Sequence, residues 1–339
     1  MVSIQKDVSL KNFSNYKIGG KAKYFLKVSS ISELREGLAE WEGIQRKDSS
    51  SRQTGRKVFI LGAGTNTLIS DRGFDGLVIY NRIKEIESQR VKESESQRAR
   101  VRVGAGALMK DLLNFCIKNS LSGPEWAGGL PGTLGGAIRG NAGAFKGEIK
   151  NNIIEVTSLD IKTLKIKKRK LKDCRFGYRS SIFKSQRVKG SDPTRQKAGA
   201  GEIIILAVLK LQKGDKDLIK KKIEEKINYR KERHPLEYPN IGSIFKNIPI
   251  EKVPQKLLKE LRGSIKDDPF PILPTAKLLA LAGLKGEQAG GAMVSQKHPN
   301  FIVNFNNASS TDVKNLIYKI KKIIKDKYEV DLEEEITII

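Results

Sequence analysis

The sequence predicts an α+β protein, and three observations carry that expectation. Apolar runs of strand length and amphipathic stretches of helix length mix along the 339 residues without a regular βαβ repeat. Two strand-like runs end directly in Gly-Ala-Gly turns, at residues 62–64 and 104–106. A glycine-rich stretch, GPEWAGGLPGTLGGAIRGNAGAF at 123–145, separates the early elements from the later ones. Glycine loses more backbone entropy on folding than any other residue, so such a cluster answers a demand for tight turns or for backbone pressed against a ligand.

The elements follow in order. The run Val58 to Leu61 reads as a strand stopped by Gly62 and Gly64, and a second strand, Leu77 to Tyr80, follows DRGFDG. In ARVRVGAGALMKDLLNFCIKNSL (99–121) a strand alternates apolar and basic residues, turns at Gly-Ala-Gly, and gives way to a helix. Helical spacing puts Leu108, Leu112, Phe115 and Cys116 on one face of that helix. Beyond the glycine stretch, IIEVTSLDI (153–161) and EIIILAVLKLQK (202–213) read as strands. DKDLIKKKIEEKINYRKER (215–233) reads as an amphipathic helix burying Leu218, Ile223 and Ile227. The tail holds a helix, TDVKNLIYKIKKIIKDKY (311–328), and a short strand in EEEITII (333–339). Three polar segments, 45–57, 87–100 and 184–202, are rich in Ser, Lys, Arg and Gln and read as surface insertions.

Composition narrows the partners. Lys+Arg of 64 against Asp+Glu of 38 gives a net charge of +26, which favours anionic partners: nucleic acid, a membrane surface or phosphorylated small molecules. The basic residues are spread along the whole chain, which suits solvated faces better than one polyanion site. Cys116 and Cys174 form no CxxC pair, and His234 and His298 are isolated in sequence, so a disulfide framework and a metal site are not expected. The N-terminus has no apolar leader and no run is long enough to cross a bilayer. The expected address is the cytoplasm, with no membrane insertion and no nucleic acid as partner.

A Gly-Ala-Gly turn after a strand is a possible phosphate cradle, because backbone N–H groups converge only where side chains keep away. Either turn alone is as well explained as a plain strand end. Neither continues as GxGxxG with a distant acid, and there is no Gly-Lys-Ser/Thr. The combination is more specific. GAGTNTLISDRGFDG (62–76) and PEWAGGLPGTLGGAIRGNAGAF (124–145), in this order, resemble the flavin-binding domain of the UDP-N-acetylenolpyruvoylglucosamine reductase family. The resemblance runs from NYKIGGKA (15–22) to LEEEITII (332–339), with the polar insertions as gaps.

The resemblance implies a two-lobed FAD-binding domain of the vanillyl-alcohol-oxidase (PCMH) type over 1–212, with lobes of about 1–80 and 81–212. It also implies a C-terminal α+β substrate domain over 213–339, whose last strand returns to the FAD lobes. It implies non-covalent FAD, with Gly62, Ala63, Gly64, Thr65, Asn66 and Thr67 around the diphosphate. Gly129, Pro131, Gly132, Thr133, Gly135, Gly136, Asn141, Ala142 and Gly143 would line the rest of the cofactor.

Three further segments match. CRFGYRSSIFK (174–184) corresponds to the family segment with an active-site arginine, here Arg179, next to Tyr178. YPNIGSIFKN (238–247) corresponds to the segment with the catalytic serine, here Ser243, followed by Lys246 and Asn247. LEEEITII carries the catalytic glutamate, placed at Glu335 with Glu333 and Glu334 as alternatives in register. The implied reaction uses NADPH to reduce FAD, which then reduces the enolpyruvyl double bond of a UDP-sugar. A guanidinium suits the developing enolate and carboxylate, a serine hydroxyl supplies the proton, and Glu335 would bond the enolate as a neutral acid. Arg230, Arg233 and Lys246 are candidates for the UDP diphosphate. Tyr178, Arg230, Lys246 and Asn247 make up the expected substrate contacts.

Only QKGDKD (212–217) joins the long strand to the next helix, so the chain resembles the shorter class, which lacks an extra loop with a substrate tyrosine. Ala280 stands where many relatives carry an acid, so no substrate contact is assigned there. Two alternatives stay open: an FAD oxidoreductase of the same fold acting on another substrate, and a basic nucleic-acid-binding protein. The second would need a clustered basic face or stacking aromatics, and aromatic residues are only 6% of the chain.

Overall fold

The computed structural model describes residues 3–47, 57–89, 97–184 and 201–339. The three expected insertions lie mostly outside these residues. The chain forms two compact units: Met1–Val8, Ala22–Ala63 and Asp75–Ile227 make the first, and Ser9–Lys21, Gly64–Phe74 and Asn228–Ile339 the second. Two short segments from the N-terminal part, Ser9–Lys21 and Gly64–Phe74, therefore build the same unit as the C-terminal third. The mixture of strands and helices is the expected α+β class.

The first unit holds two sheets. One orders Gln5–Ser9, Lys21–Val28, Phe74–Asn81 and Val58–Leu61, the last two parallel with Val58 opposite Leu77. The other is antiparallel, in the order Ile166–Lys170, Ile153–Asp160, Glu202–Lys213, Arg98–Gly104, Ile86–Gln89. Glu202–Lys213 lies inside this sheet, and its unbroken apolar run, buried from Ile203 to Leu206, suits a strand covered on both faces. On Arg98–Gly104, Val101 and Val103 face the core while Arg100 and Arg102 do not, as alternation requires. The helix Met109–Lys118 packs Met109, Leu112, Leu113 and Cys116 inward, and burial pushes the Cys116 thiol up to about 12. Leu108, expected on that face, instead precedes the helix in extended conformation and is partly exposed.

The helix Lys216–Arg233 corrects a second detail: it buries Ile219 and Ile223, while Leu218 is 57% exposed. Ile223 and Ile227 do face the core as expected, and only the first position differs, Ile219 turning inward in place of its neighbour. Its start, three residues after Lys213, leaves only Gly214 and Asp215 as the connection.

In the second unit the helix Ser310–Tyr328 shows Val313, Leu316, Ile317, Ile320 and Ile324 to the core at helical spacing. A capping box opens it: Ser309 Oγ accepts from Asp312 N, and an Asp312 carboxylate oxygen accepts from Ser309 N. Asp71 accepts from both the N–H and the hydroxyl of Ser310, which ties the segment after the first glycine loop to the helix start. Gln288–Ala289, Ala292–Val294 and Ile302–Asn304 form an antiparallel sheet against the helix. Tyr16, fully buried, donates its hydroxyl to Ile302 O at 2.9 Å. The last strand, Thr337–Ile338, runs parallel to Thr67–Leu68.

Candidate active site

In the second unit, three segments distant in sequence share one hydrogen-bonded ladder. Ser243 pairs antiparallel with Phe301, and Ile244 N donates to Asn300 O at 2.8 Å. On the other edge Glu335 N donates to Ile244 O at 2.8 Å, and Lys246 N to Glu333 O at 2.9 Å. Asn66 closes the set: its Nδ2 donates to Glu335 O at 3.2 Å, and its carbonyl accepts from Thr337 N at 3.0 Å. The serine, the glutamate and the first glycine loop are thus held by backbone bonds, which fix position without using the side chains.

Two buried asparagines set the serine strand. Asn300 bonds both main-chain groups of Phe245, accepting from its N–H at 3.0 Å and donating to its carbonyl at 2.8 Å. Asn240 accepts from Gly242 N and donates to Pro235 O and Tyr238 O. Ser243 itself is half-buried. At the C-terminus Glu333 is ion-paired with Lys246 and Glu334 with Lys321 at 2.8 Å, while the backbone of Glu335 bonds the neighbour of Ser243.

The first glycine loop fits an anionic diphosphate. Gly64 has φ +63°, and a Cβ there would stand 2.0 Å from Phe13 O, so only glycine fits. The backbone N–H groups of Ala63 to Asn66 donate to no other described residue, leaving donors for a phosphate. Thr65 and Asn66 add polar side chains, and Thr67 starts the short parallel strand. The second Gly-Ala-Gly turn is a packing device. A Cβ at Gly104 would lie 2.3 Å from Ile83 O and one at Gly106 2.7 Å from Asn81 O.

The long glycine stretch belongs to the first unit. Thr133 caps the helix Leu134–Gly140, accepting from Gly136 N, and Gly62 passes so near that a Cβ would be 2.6 Å from Thr133 Oγ1. Gly135 and Leu134 donate to Ala105 O and Ala107 O, and Met109 N donates to Gly132 O. Gly129, Pro131 and Gly136 remain exposed, and a Cβ at Gly136 would meet nothing nearer than 3.6 Å, so flat backbone faces outward there. Ala142 is half-buried, and its N–H donates to Ala137 O.

Arg179 lies on a tight turn of the first unit, Gly177 to Ser180, whose ends exchange both backbone bonds. Its Nη2 donates to Gly143 O at 3.0 Å, and its guanidinium lies 5.3 Å from the Tyr178 ring. Asn141, fully buried, directs its carboxamide at Glu148 Oε1 and Gly177 O.

The expected substrate contacts sit as follows in the second unit. Lys246 is engaged with Glu333, and Asn247 Oδ1 accepts from Thr275 N at the start of the helix Thr275–Leu281. Arg230 is largely buried, which lowers its guanidinium below the usual value, and Arg233 lies over the Tyr229 ring at 4.7 Å. Sequence reading missed one feature. His234 and His298, isolated along the chain, lie 5.5 Å apart, and both rings contact Phe301, the pairing partner of Ser243. Burial pushes both imidazoles down to about 4, helped at His234 by His298, Arg230 and Lys297 and at His298 by Lys266 and Lys285. No local spacing signals such a pair.

Among the described residues no helix is long and apolar enough to cross a membrane. Residues 48–163 match the family model of the FAD binding domain, and residues 234–339 that of the UDP-N-acetylenolpyruvoylglucosamine reductase C-terminal domain. The UDP-N-acetylenolpyruvoylglucosamine reductase of Clostridium novyi (strain NT) is 32% identical over 339 residues, covering 99% of this chain and 92% of its own. That of Clostridium tetani (strain Massachusetts / E88) is 34% identical, with 99% and 92% covered. The crystal structure of UDP-N-acetylenolpyruvylglucosamine reductase from Thermus caldophilus aligns with a TM-score of 0.69 at 25% identity, over 100% of this chain and 98% of that one. With such identity along essentially the whole sequence, and with the serine, glutamate and glycine-loop segments joined as described, the chain belongs to the UDP-N-acetylenolpyruvoylglucosamine reductase family.

Proposed function

We propose that this protein uses NADPH to reduce the enolpyruvyl group of UDP-N-acetylglucosamine enolpyruvate to the lactyl ether. The product is UDP-N-acetylmuramate, a peptidoglycan precursor, and the reaction takes place in the cytoplasm. The observation that carries this reading is the ladder joining the Ser243 strand, Glu335 and Asn66 of the first glycine loop. FAD, when bound, would supply the redox chemistry needed to carry two electrons from NADPH to the substrate double bond. Residues 1–212 hold that cofactor through the two glycine-rich segments, and residues 213–339 form the substrate domain, with Tyr178 and Arg179 added from the first part of the chain.

The chain's own residues do the rest. Ala63 to Asn66 present N–H donors to the cofactor diphosphate, and Gly129, Pro131 and Gly136 offer flat backbone. Arg179 pairs with the substrate carboxylate and stabilises the charge that spreads into it as the enolate forms. Ser243 donates its hydroxyl proton to the carbon beside that carboxylate and is reprotonated from solvent. Glu335 bonds the enolate oxygen. Lys246, Asn247, Arg230 and Tyr178 contact the sugar nucleotide, and Lys246 exchanges Glu333 for the diphosphate when it does so.

An anaerobic visible spectrum tests the reading. The FAD-loaded protein is expected to lose its oxidised-flavin bands with NADPH and to regain them with the enolpyruvyl UDP-sugar. A protein that takes up no flavin, or whose bands return with no enolpyruvyl UDP-sugar but with another acceptor, contradicts it.

A further inference from the structure

Glu148 is a buried carboxylate, 6% exposed, with no part in the chemistry above. It sits in the first unit directly behind the arginine turn. Its Oε1 accepts from Asn141 Nδ2 at 2.9 Å, and the same Nδ2 donates to Gly177 O at 3.0 Å, the first residue of the turn that carries Arg179. Asn141 ends its helix in the left-handed conformation, φ +43°, which asparagine tolerates better than most residues. Its Oδ1 accepts from Lys150 N, so each end of the carboxamide has a fixed partner.

Gly143 is the other half of the arrangement. Its carbonyl accepts from Arg179 Nη2, and a Cβ on it would stand 2.8 Å from Glu148 Cγ and 3.4 Å from Arg179 Nη1. Gly143 pairs with Glu148 across a two-residue ladder, Gly143–Ala144 against Gly147–Glu148. The glutamate thus meets both supports of the arginine: its side chain bonds Asn141, which holds the turn, and its backbone pairs with Gly143, whose carbonyl holds the guanidinium. Ser181 Oγ, donating to Arg139 O at 2.8 Å, anchors the far side of the turn to the same helix.

Charge does not explain the glutamate. Lys150 Nζ lies 2.5 Å from Glu148 Oε2 and compensates it locally. What it offers the arginine turn is an acceptor oxygen at a fixed place beneath Asn141. We infer that Glu148 is a positioning residue for Arg179, acting through Asn141 and Gly143. This rests on the role given to Arg179 in the proposed reaction.

Two substitutions separate reach from charge. Glu148→Asp keeps the charge but withdraws the oxygen from Asn141 by one methylene. Glu148→Gln drops the charge and keeps an acceptor in place. In anaerobic stopped flow with FAD-loaded protein, both variants should bleach with NADPH within about threefold of the parent. Restoration of the flavin bands by the enolpyruvyl UDP-sugar should slow about tenfold or more in Glu148→Asp and stay within about threefold in Glu148→Gln, since small misplacements of a catalytic group cost rate steeply. Amide hydrogen exchange of the peptide over 177–183 should be faster in Glu148→Asp than in the parent or Glu148→Gln, a readout that needs no turnover. Full restoration rate in Glu148→Asp, slow restoration in Glu148→Gln, or equal slowing of both half-reactions would overturn the inference. If the parent is bleached by NADPH and never restored by the enolpyruvyl UDP-sugar, the proposed function fails instead, while the exchange measurement still reports on the support.

Discussion

Single residues here do work that their types do not announce. Asn300 bonds both backbone groups of Phe245, one residue beyond the neighbour of Ser243, from a site 3% exposed. Asn300→Ala would leave a buried N–H and carbonyl unpaired, and we expect a loss of about 2–3 kcal/mol in urea unfolding of the second unit. Gly64→Ala combines positive φ with a Cβ 2.0 Å from Phe13 O. That variant should be isolated without flavin absorbance, and wild-type absorbance in it would show that the loop has more freedom than its geometry allows. Arg179, Ser243 and Glu335 stand out only through motif resemblance, because each alone looks like an ordinary turn or edge residue. The run of three glutamates does not announce that Glu333 pairs with Lys246 and Glu334 with Lys321, because those partners come together only on folding.

Elements show where periodicity speaks and where it is silent. The helix Ser310–Tyr328 and the strand Glu202–Lys213 were legible because their apolar residues recur at the spacing of the element. The helix Lys216–Arg233 was legible in extent and in most of its face, Ile223 and Ile227, but the adjacent pair Leu218 and Ile219 gives no periodic cue to which of the two turns inward. Where the long inner strand of the antiparallel sheet begins, Glu202 accepts from Ser158, Lys167 and both terminal nitrogens of Arg169, an array of contacts scattered over three strands. Burial alone would raise the Glu202 carboxyl, but the bonds from Arg169, Ser158 and Lys167 outweigh it and hold it below its usual value. The bond from Lys167 holds Asp160 low in the same way. A carboxyl lowered by folding stabilises above its unfolded value, about 4, and that contribution is lost as pH falls through the folded value. The His234–His298 pair has the same sign in another window: imidazoles lowered to about 4 favour the folded state above about 6.5 and lose that contribution as pH falls toward 4. Glu202→Gln should therefore cost about 2 kcal/mol at pH 7, flatten the melting-temperature decline below pH 4, and leave the decline between pH 6.5 and 4 in place. Removal of the higher window by Glu202→Gln would show that the histidines are not its source.

At the scale of the whole molecule, fold class and family were legible because the glycine segments, the serine segment and the terminal glutamates keep their order along the chain. The gathering of Asn66, Ser243 and Glu335 in one ladder was not, since it depends on pairings between segments that no local pattern links. The assignment of Ser9–Lys21 and Gly64–Phe74 to the unit of the C-terminal third has the same cause. In the proposed reaction both substrates, NADPH and a UDP-sugar, are anionic and the chain carries a net charge of +26, so both half-reactions should weaken in apparent affinity as salt rises. The most direct test compares the two half-reactions in the parent and in Ser243→Ala by anaerobic single turnover. We expect NADPH to bleach the flavin at the same rate in both, and the enolpyruvyl UDP-sugar to restore it about 100-fold or more slowly in Ser243→Ala. Restoration at the parental rate would show that Ser243 is not the proton donor and would contradict the site described here.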